Sequence, residues 1–191
     1  ACGLVSDFKK IRPDFAAVAN YNWMLCPYST GFLYVDPLYF DGQPLEEGWI
    51  TRQGARNFAR LTENQETFEE GAIRYDMGER ANFALLPGVN EALRQLHEWD
   101  KAAIETTLAA RNGELWQRLD VIGLTTVAAE TRGAHFIGAQ LPDGVRGDLL
   151  SELAKEQVYL SVRNKSLRIT PHLWNEAQDF DRLIDSLGRL I

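Results

Sequence analysis

Two short runs of unbroken apolarity open the chain. Phe15–Ala19 (FAAVA) follows Arg12-Pro13-Asp14, and Gly31–Val35 (GFLYV) ends at Asp36-Pro37. Continuous rather than alternating apolarity predicts strands buried on both faces, as in a helix-covered sheet. The connection from Asn20 to Thr30 then falls at a sheet edge, where open α/β sheets often line a ligand crevice. Residues 36–80 differ: they are rich in Gly, Pro and charge and show little periodicity. A stretch of that length is uncommon unless it is a functional loop, an interface or disordered. Its aromatics (Tyr39, Phe40, Trp49, Phe58, Phe68, Tyr75) need burial and so argue against disorder. A subunit interface is the expectation.

From Gly88 the spacing turns helical. Val89, Leu93, Leu96, Trp99, Ala103, Ile104 and Leu108 keep one face apolar to about Arg111, ahead of Gly113, and a second helix carries Leu115, Leu119 and Ile122. A smaller α/β unit follows. Residues 134–141 read as a strand closed by Pro142-Asp143-Gly144, and Leu149, Leu150 and Leu153 mark a short helix. Val158, Leu160 and Val162 alternate with Tyr159, Ser161 and Arg163, the half-buried strand pattern. Residues 167–170 continue it after a turn at Asn164-Lys165. The last helix has Asn175 as its expected N-cap, with Gln178 three residues on in the manner of a capping box. Phe180, Leu183, Ile184 and Leu187 form its inner stripe. The expected division is residues 1–88 and residues 89–191.

The 191 residues are 45% hydrophobic and 25% charged, ordinary for a chain with a real core. A formal charge of −7 argues against a general nucleic-acid binder, which would carry a basic surface. No apolar run is long enough to span a bilayer and no signal peptide is evident, so the cytoplasm is the simplest expectation. Cys2 and Cys26 form neither metal-ligand spacing nor a disulfide framework, and Cys26 reads as a buried, inert thiol. Ala1 is not an initiator Met, and residues 1–7 read as the interior of something longer.

Candidate chemistry is sparse. Arg168 lies between Leu167 and Ile169, so its side chain points away from the face those two bury. A guanidinium fixed there suits bidentate binding of a carboxylate. The pattern alone leaves open a structural ion pair or a solvated strand arginine. Trp49, after Gly48, is a stacking or interface anchor or else a core filler. Arg52, Arg56 and Arg60 recur at a spacing of four, which would align them on one helix face. His97 and His135 read as structural, and His172 lies close to Arg168 in sequence without a sharper role. There is no Ser/His/Asp order, Walker loop, HExxH or CxxC pair, and no metal site is expected.

Two segments carry a resemblance. NYNWMLCPYSTGFLYV, from Asn20, resembles the cofactor-lysine segment of class V aminotransferase-like proteins, and LRITPHLWNEAQDFD, from Leu167, resembles their closing motif. PLEEGWITR and YDMGERANFALLP between them also fit, and are similar to kynureninase-like and isopenicillin-epimerase-like members. The resemblance implies the C-terminal half of a fold type I, pyridoxal-phosphate (PLP) enzyme: a remnant of the large-domain α/β sheet followed by a small α/β domain. It implies an amino-acid substrate, transamination, epimerisation or Cα/Cβ cleavage, and a homodimer. Arg168 falls on the arginine that anchors the substrate carboxylate. Tyr21 falls beside the lysine, where relatives place a tyrosine against the cofactor phosphate. Trp49 falls on a loop that reaches toward the partner's phosphate site.

The departures from that family matter as much. The Schiff-base lysine position is Asn22, whose amide is neither nucleophilic nor basic. Lys9 and Lys10 precede it, and the next lysine is Lys101. The long N-terminal portion of relatives is absent from the sequence in hand, so the expectation is a catalytically incomplete chain, or alternatively a non-catalytic dimerisation or partner-binding protein. Residues 158–168 contain none of the cysteines that desulfurases use, which counts against sulfur transfer.

Overall fold

A computed structural model describes residues 3–60, 62–63, 65–145 and 147–191. Cys2 and Ala1 lie outside the described residues. The chain divides into two compact units, one of residues 6–98 and one that comprises residues 3–5 together with residues 99–191.

The first unit starts with one helical turn, α1 (Phe8–Ile11), capped by the Asp7 carboxylate, which accepts from the Lys9 amide at 2.9 Å. The two apolar runs are strands, β1 (Phe15–Ala19) and β2 (Gly31–Val35), and they pair with each other antiparallel, Phe15 against Val35 through Ala19 against Gly31. Burial on both faces does not follow. Only Val35 is fully buried, while Phe15, Phe32 and Leu33 stay 41–47% exposed. A two-stranded ribbon has too few neighbours to cover both of its faces, whatever its composition.

Residues 36–80 hold four short 3-10 turns (Pro37–Tyr39, Trp49–Thr51, Phe58–Arg60, Gly71–Tyr75) and one isolated bridge, Arg52 to Phe68. Polar clips fix them. The buried Arg74 guanidinium donates to the carbonyls of Glu69 and Gly42 at 3.1 and 3.0 Å, and the Tyr75 hydroxyl donates to the Tyr39 carbonyl at 2.5 Å. Tyr39 and Tyr75 both pack on Phe15, with centroids 5.0 and 5.7 Å away, so this segment is folded onto β1. Arg52, Arg56 and Arg60 share no helix face, because this stretch is turns. Arg52 instead lies over the Phe68 ring, 3.8 Å from its centroid. Helix α2 (Leu86–Trp99) buries Val89 and Ala92 against Cys26. Cys26 is buried and its thiol donates to the Met24 carbonyl, as an inert core thiol should.

The second unit is built on α3 (Lys101–Val121), β3 (Thr125–Thr126), β4 (Ile137–Gln140), α4 (Leu149–Lys155), β5 (Ser161–Arg163), β6 (Ser166–Ile169) and α5 (Ala177–Leu190). The helical break falls at Asp100, not ahead of Gly113. Asp100 has φ 62° and its carboxylate accepts from the Ala102 amide at 2.9 Å, ending one helix and capping the next. Gly113 stays inside α3. The four strands form an antiparallel sheet in the order β3-β4-β6-β5. Ile137, Ala139, Leu167 and Ile169 point to one face and meet Leu115, Trp116 and Leu119 of α3, Leu149 and Leu153 of α4, and Leu183 and Leu187 of α5. Burying each large side chain in that layer is worth roughly 1.5–3 kcal/mol.

The last helix is capped one residue later than its sequence suggests. Glu176 is the N-cap and Asp179 closes the capping box. Asn175 is engaged elsewhere: its Oδ1 accepts from the His172 amide at 2.9 Å and its amide donates to Asp179 at 3.3 Å.

Candidate functional site

In the first unit, the β1–β2 connection carries Tyr21 and Asn22. Its base is Asn20, fully buried, whose Oδ1 lies 2.6 Å from the Thr30 hydroxyl and whose carbonyl accepts from the Cys26 amide at 3.2 Å. This ties both ends of the connection together. Leu25 and Ser29 sit at φ 57° and 66°, left-handed backbone that non-glycine residues seldom adopt. Strain of that kind persists only where surrounding contacts over-determine it, and it gathers at functional sites. Asn22 sits at the crest, exposed, its carbonyl accepting from the Leu25 amide at 3.0 Å. Tyr21 stacks on Tyr28, centroids 4.6 Å apart and planes at 19°. Nothing in the sequence pattern singled out Asn20 or Thr30, whose pairing depends on a turn that cannot be read from spacing.

Trp49 belongs to a different part of that unit. It is half-exposed, meets Phe58 edge-on at 6.3 Å, and lines a cavity of about 460 Å³ with Arg52, Asn57, Arg60 and Glu63. Tyr21 and Asn22 do not line that cavity. Its two arginines are already engaged, Arg52 with Glu47 at 3.5 Å and Arg60 with Glu63 at 2.5 Å.

In the second unit, Arg168 stands on the sheet face opposite the core, exposed, between Gly138 on β4 and Ser161 on β5. Among the described residues its guanidinium makes no hydrogen bond and no ion pair, so the structural ion-pair reading finds no support. Just past β6 the chain is braced by Arg111, which sequence reasoning missed. Its Nη1 donates to the carbonyls of Leu173 and Asn175 at 2.8 and 3.0 Å. His172 is buried and stacks on Trp174 at 4.0 Å, and that burial pushes its pKa down. Burial likewise lowers His135, and Arg168 adds to that shift. His97 is exposed on α2. Among the described residues no three His, Cys, Asp or Glu side chains gather as a metal site, and no helix is long and apolar enough to cross a membrane.

No family model matches the sequence, and no curated protein does. Solved structures do. C-DES, a cystine C-S lyase solved with glycine covalently linked to its PLP cofactor, matches at a TM-score of 0.84 and 18% identity, over 100% of this chain and 50% of its own. An apo cysteine desulfurase from Thermococcus onnurineus NA1 matches at 0.82 and 15%, with the same coverage. The fold is that of the C-terminal half of a fold type I PLP enzyme. An alanine–glyoxylate aminotransferase from Nostoc sp. shares this C-terminal half at a TM-score of 0.65 and 19% identity, over 98% of this chain and 51% of its own. The chain thus spans about half the length of the solved structures it matches.

The residues of this fold type I half do not fit a covalently tethered PLP. That link requires a nucleophilic amine, and the β1–β2 connection, residues 20–30, carries no lysine. The only lysines of the first unit, Lys9 and Lys10, lie on α1.

Proposed function

We propose that this chain is the substrate-carboxylate-binding half of a PLP-enzyme relative acting on amino acids, and that Asn22 makes it unable to hold the cofactor covalently. The observation that carries this is Asn22 itself: an exposed amide at the crest of a strained, clasped connection within the fold type I half. Under this reading the first unit is the C-terminal part of the large, cofactor-side domain and the second is the small domain. Arg168 takes the substrate carboxylate, supported by its exposed, unengaged guanidinium on a rigid strand. Tyr21 and Trp49 are assigned to the cofactor side by resemblance. Sulfur transfer is disfavoured, because residues 158–168 hold no cysteine.

A second reading, a non-catalytic protein that keeps the fold for dimerisation or partner binding, is favoured by the apolar side chains left exposed in the first unit, Phe32, Leu33, Phe58 and Trp49. Both readings expect a homodimer, and a stable monomer by light scattering at micromolar concentration contradicts it. The deciding experiment mixes the purified chain with PLP, reduces with borohydride, and maps any adduct by mass spectrometry, before and after Asn22→Lys. The expected result is no adduct on the unmodified chain and one on Lys in the variant. An adduct on the unmodified chain overturns the proposal. No adduct in either shows that the obstacle lies beyond Asn22 and favours the second reading.

A further inference from the structure

The sheet of the second unit has one face in the core and one face away from it, and the outer face has an unusual charge content. Strand register places its residues in rows. Gly138, Arg168 and Ser161 lie side by side across β4, β6 and β5, and Gln140, Ser166 and Arg163 form the adjacent row, with Thr125 of β3 next to Gln140. Directly opposed residues of antiparallel strands share a face, and the intervening Val162, Leu167 and Ala139 all turn into the core. Ser166 Oγ lies within 3.8 Å of where a Gly138 Cβ would stand, which sets its hydroxyl on this same outer face.

Two arginines therefore stand diagonally across one strand pair, Arg163 on β5 and Arg168 on β6. Diagonal neighbours lie about 7–8 Å apart, close enough for long side chains to serve one ligand. Both are exposed. Among the described residues neither guanidinium has a hydrogen bond or an ion pair, and these rows contain no Asp or Glu. The nearby Lys165, at the hairpin turn, is by contrast paired with Asp143 at 2.7 Å. Two neighbouring, uncompensated guanidinium groups in a chain of net charge −7 are not part of a general basic surface. Like charges so placed repel each other unless an anion lies between them. The hydroxyls of Ser161 and Ser166, one in each row, add donors that have no partner among the described residues.

Resting on the reading of Arg168 as the carboxylate anchor, we propose that this face takes a dicarboxylic amino acid. Arg168, with Ser161, holds the α-carboxylate, and Arg163, with Ser166, holds the side-chain carboxylate. Each arginine contributes a planar fork suited to one carboxylate, so the pair discriminates by ligand charge and length.

The test titrates the full chain with L-glutamate and with L-2-aminobutyrate, which keeps the α-carboxylate and lacks the second. Binding is followed by calorimetry or by NMR of isotope-labelled protein, in wild type, Arg163→Gln and Arg168→Gln. Both arginines are exposed, so neither change is expected to disturb the fold, and circular dichroism checks that. The proposal expects glutamate to bind about tenfold more tightly than aminobutyrate. Arg163→Gln should erase that advantage and leave aminobutyrate unchanged, while Arg168→Gln should weaken both about tenfold or more. Equal binding of the two ligands, indifferent to Arg163→Gln but lost with Arg168→Gln, overturns the dicarboxylate proposal and leaves the Arg168 reading standing. Binding that ignores Arg168→Gln, or no binding of either ligand to the wild type, overturns both.

Discussion

The two units are held by different physics. The second closes a core in which Leu119, Ile137, Ala139, Leu153, Leu167 and Leu187 are wholly shielded, with three helices packed on one sheet face. Among the described residues the first has a small cluster of Cys26, Val89 and Ala92, with Val35 and Leu96 also buried, and several polar clips: Asn20 with Thr30, Arg74 with two carbonyls, Tyr75 with Tyr39. Apolar burial is non-directional and adds up with area, whereas each clip is worth about 0.5–1.5 kcal/mol net and serves mainly to choose a conformation. Among the described residues, apolar burial is therefore heavier in the second unit. The Asn20–Thr30 clip holds the backbone shape around Asn22, in the same unit that leaves Phe15, Phe32 and Leu33 exposed.

The largest expected effect tests that asymmetry directly. Leu119→Ala, in the centre of the second core, should cost about 2–5 kcal/mol in urea unfolding. Phe32→Ala, at a position 41% exposed on β2, should cost less than about 1 kcal/mol. Comparable losses at the two positions would mean that the first unit draws as much on apolar burial as the second.

A middle-sized effect sharpens the comparison, because the second unit also contains one clip. Arg111→Gln removes a guanidinium that bonds the carbonyls of Leu173 and Asn175 and leaves those acceptors to water or to nothing. The expected cost is about 1–3 kcal/mol. Faster amide hydrogen exchange should follow at His172 and Asn175, whose amides donate within that turn. An unchanged exchange rate there would show the turn to be held by its packing alone.

How far the sequence could be read follows the same division. Strand limits at Phe15–Ala19 and Gly31–Val35 were legible because each apolar run is bounded by turn-forming residues. Their burial was not, since burial depends on what packs against a strand and not on its own composition. The stripe of α5 was legible from spacing, and Leu183 and Leu187 are its buried members. The break at Asp100 was missed because glycine at 113 is the commoner stop signal, and a capping carboxylate with left-handed backbone outweighed it. Arg168 was legible as an outward strand residue. Arg163 was legible as an alternating polar position too, but its place beside Arg168 was not, because only hairpin register brings residues 163 and 168 onto one face. Arg111 reaches a turn more than sixty residues away, which no local pattern encodes.

The smallest effect lies at the start of α5, where both kinds of stabilisation meet. The Asp179 carboxylate accepts from the Glu176 amide at 3.0 Å and from the Asn175 side chain at 3.3 Å. The backbone bond, first, and the side-chain bond, second, hold its pKa below the ordinary 3.8. The folded state therefore favours the ionised form. Its contribution is fully present above the unfolded value near 3.8 and is lost as pH falls through the lower, folded value. Asp179→Asn should thus lower stability at pH 7 by about 1 kcal/mol, the usual worth of a helix-start bond. The gap from wild type should close as the solution is acidified through the carboxylate range. Urea midpoints of both proteins across that range give the measurement. A gap that stays constant with pH would mean that the box acts through geometry alone, and that charge contributes nothing to how α5 begins.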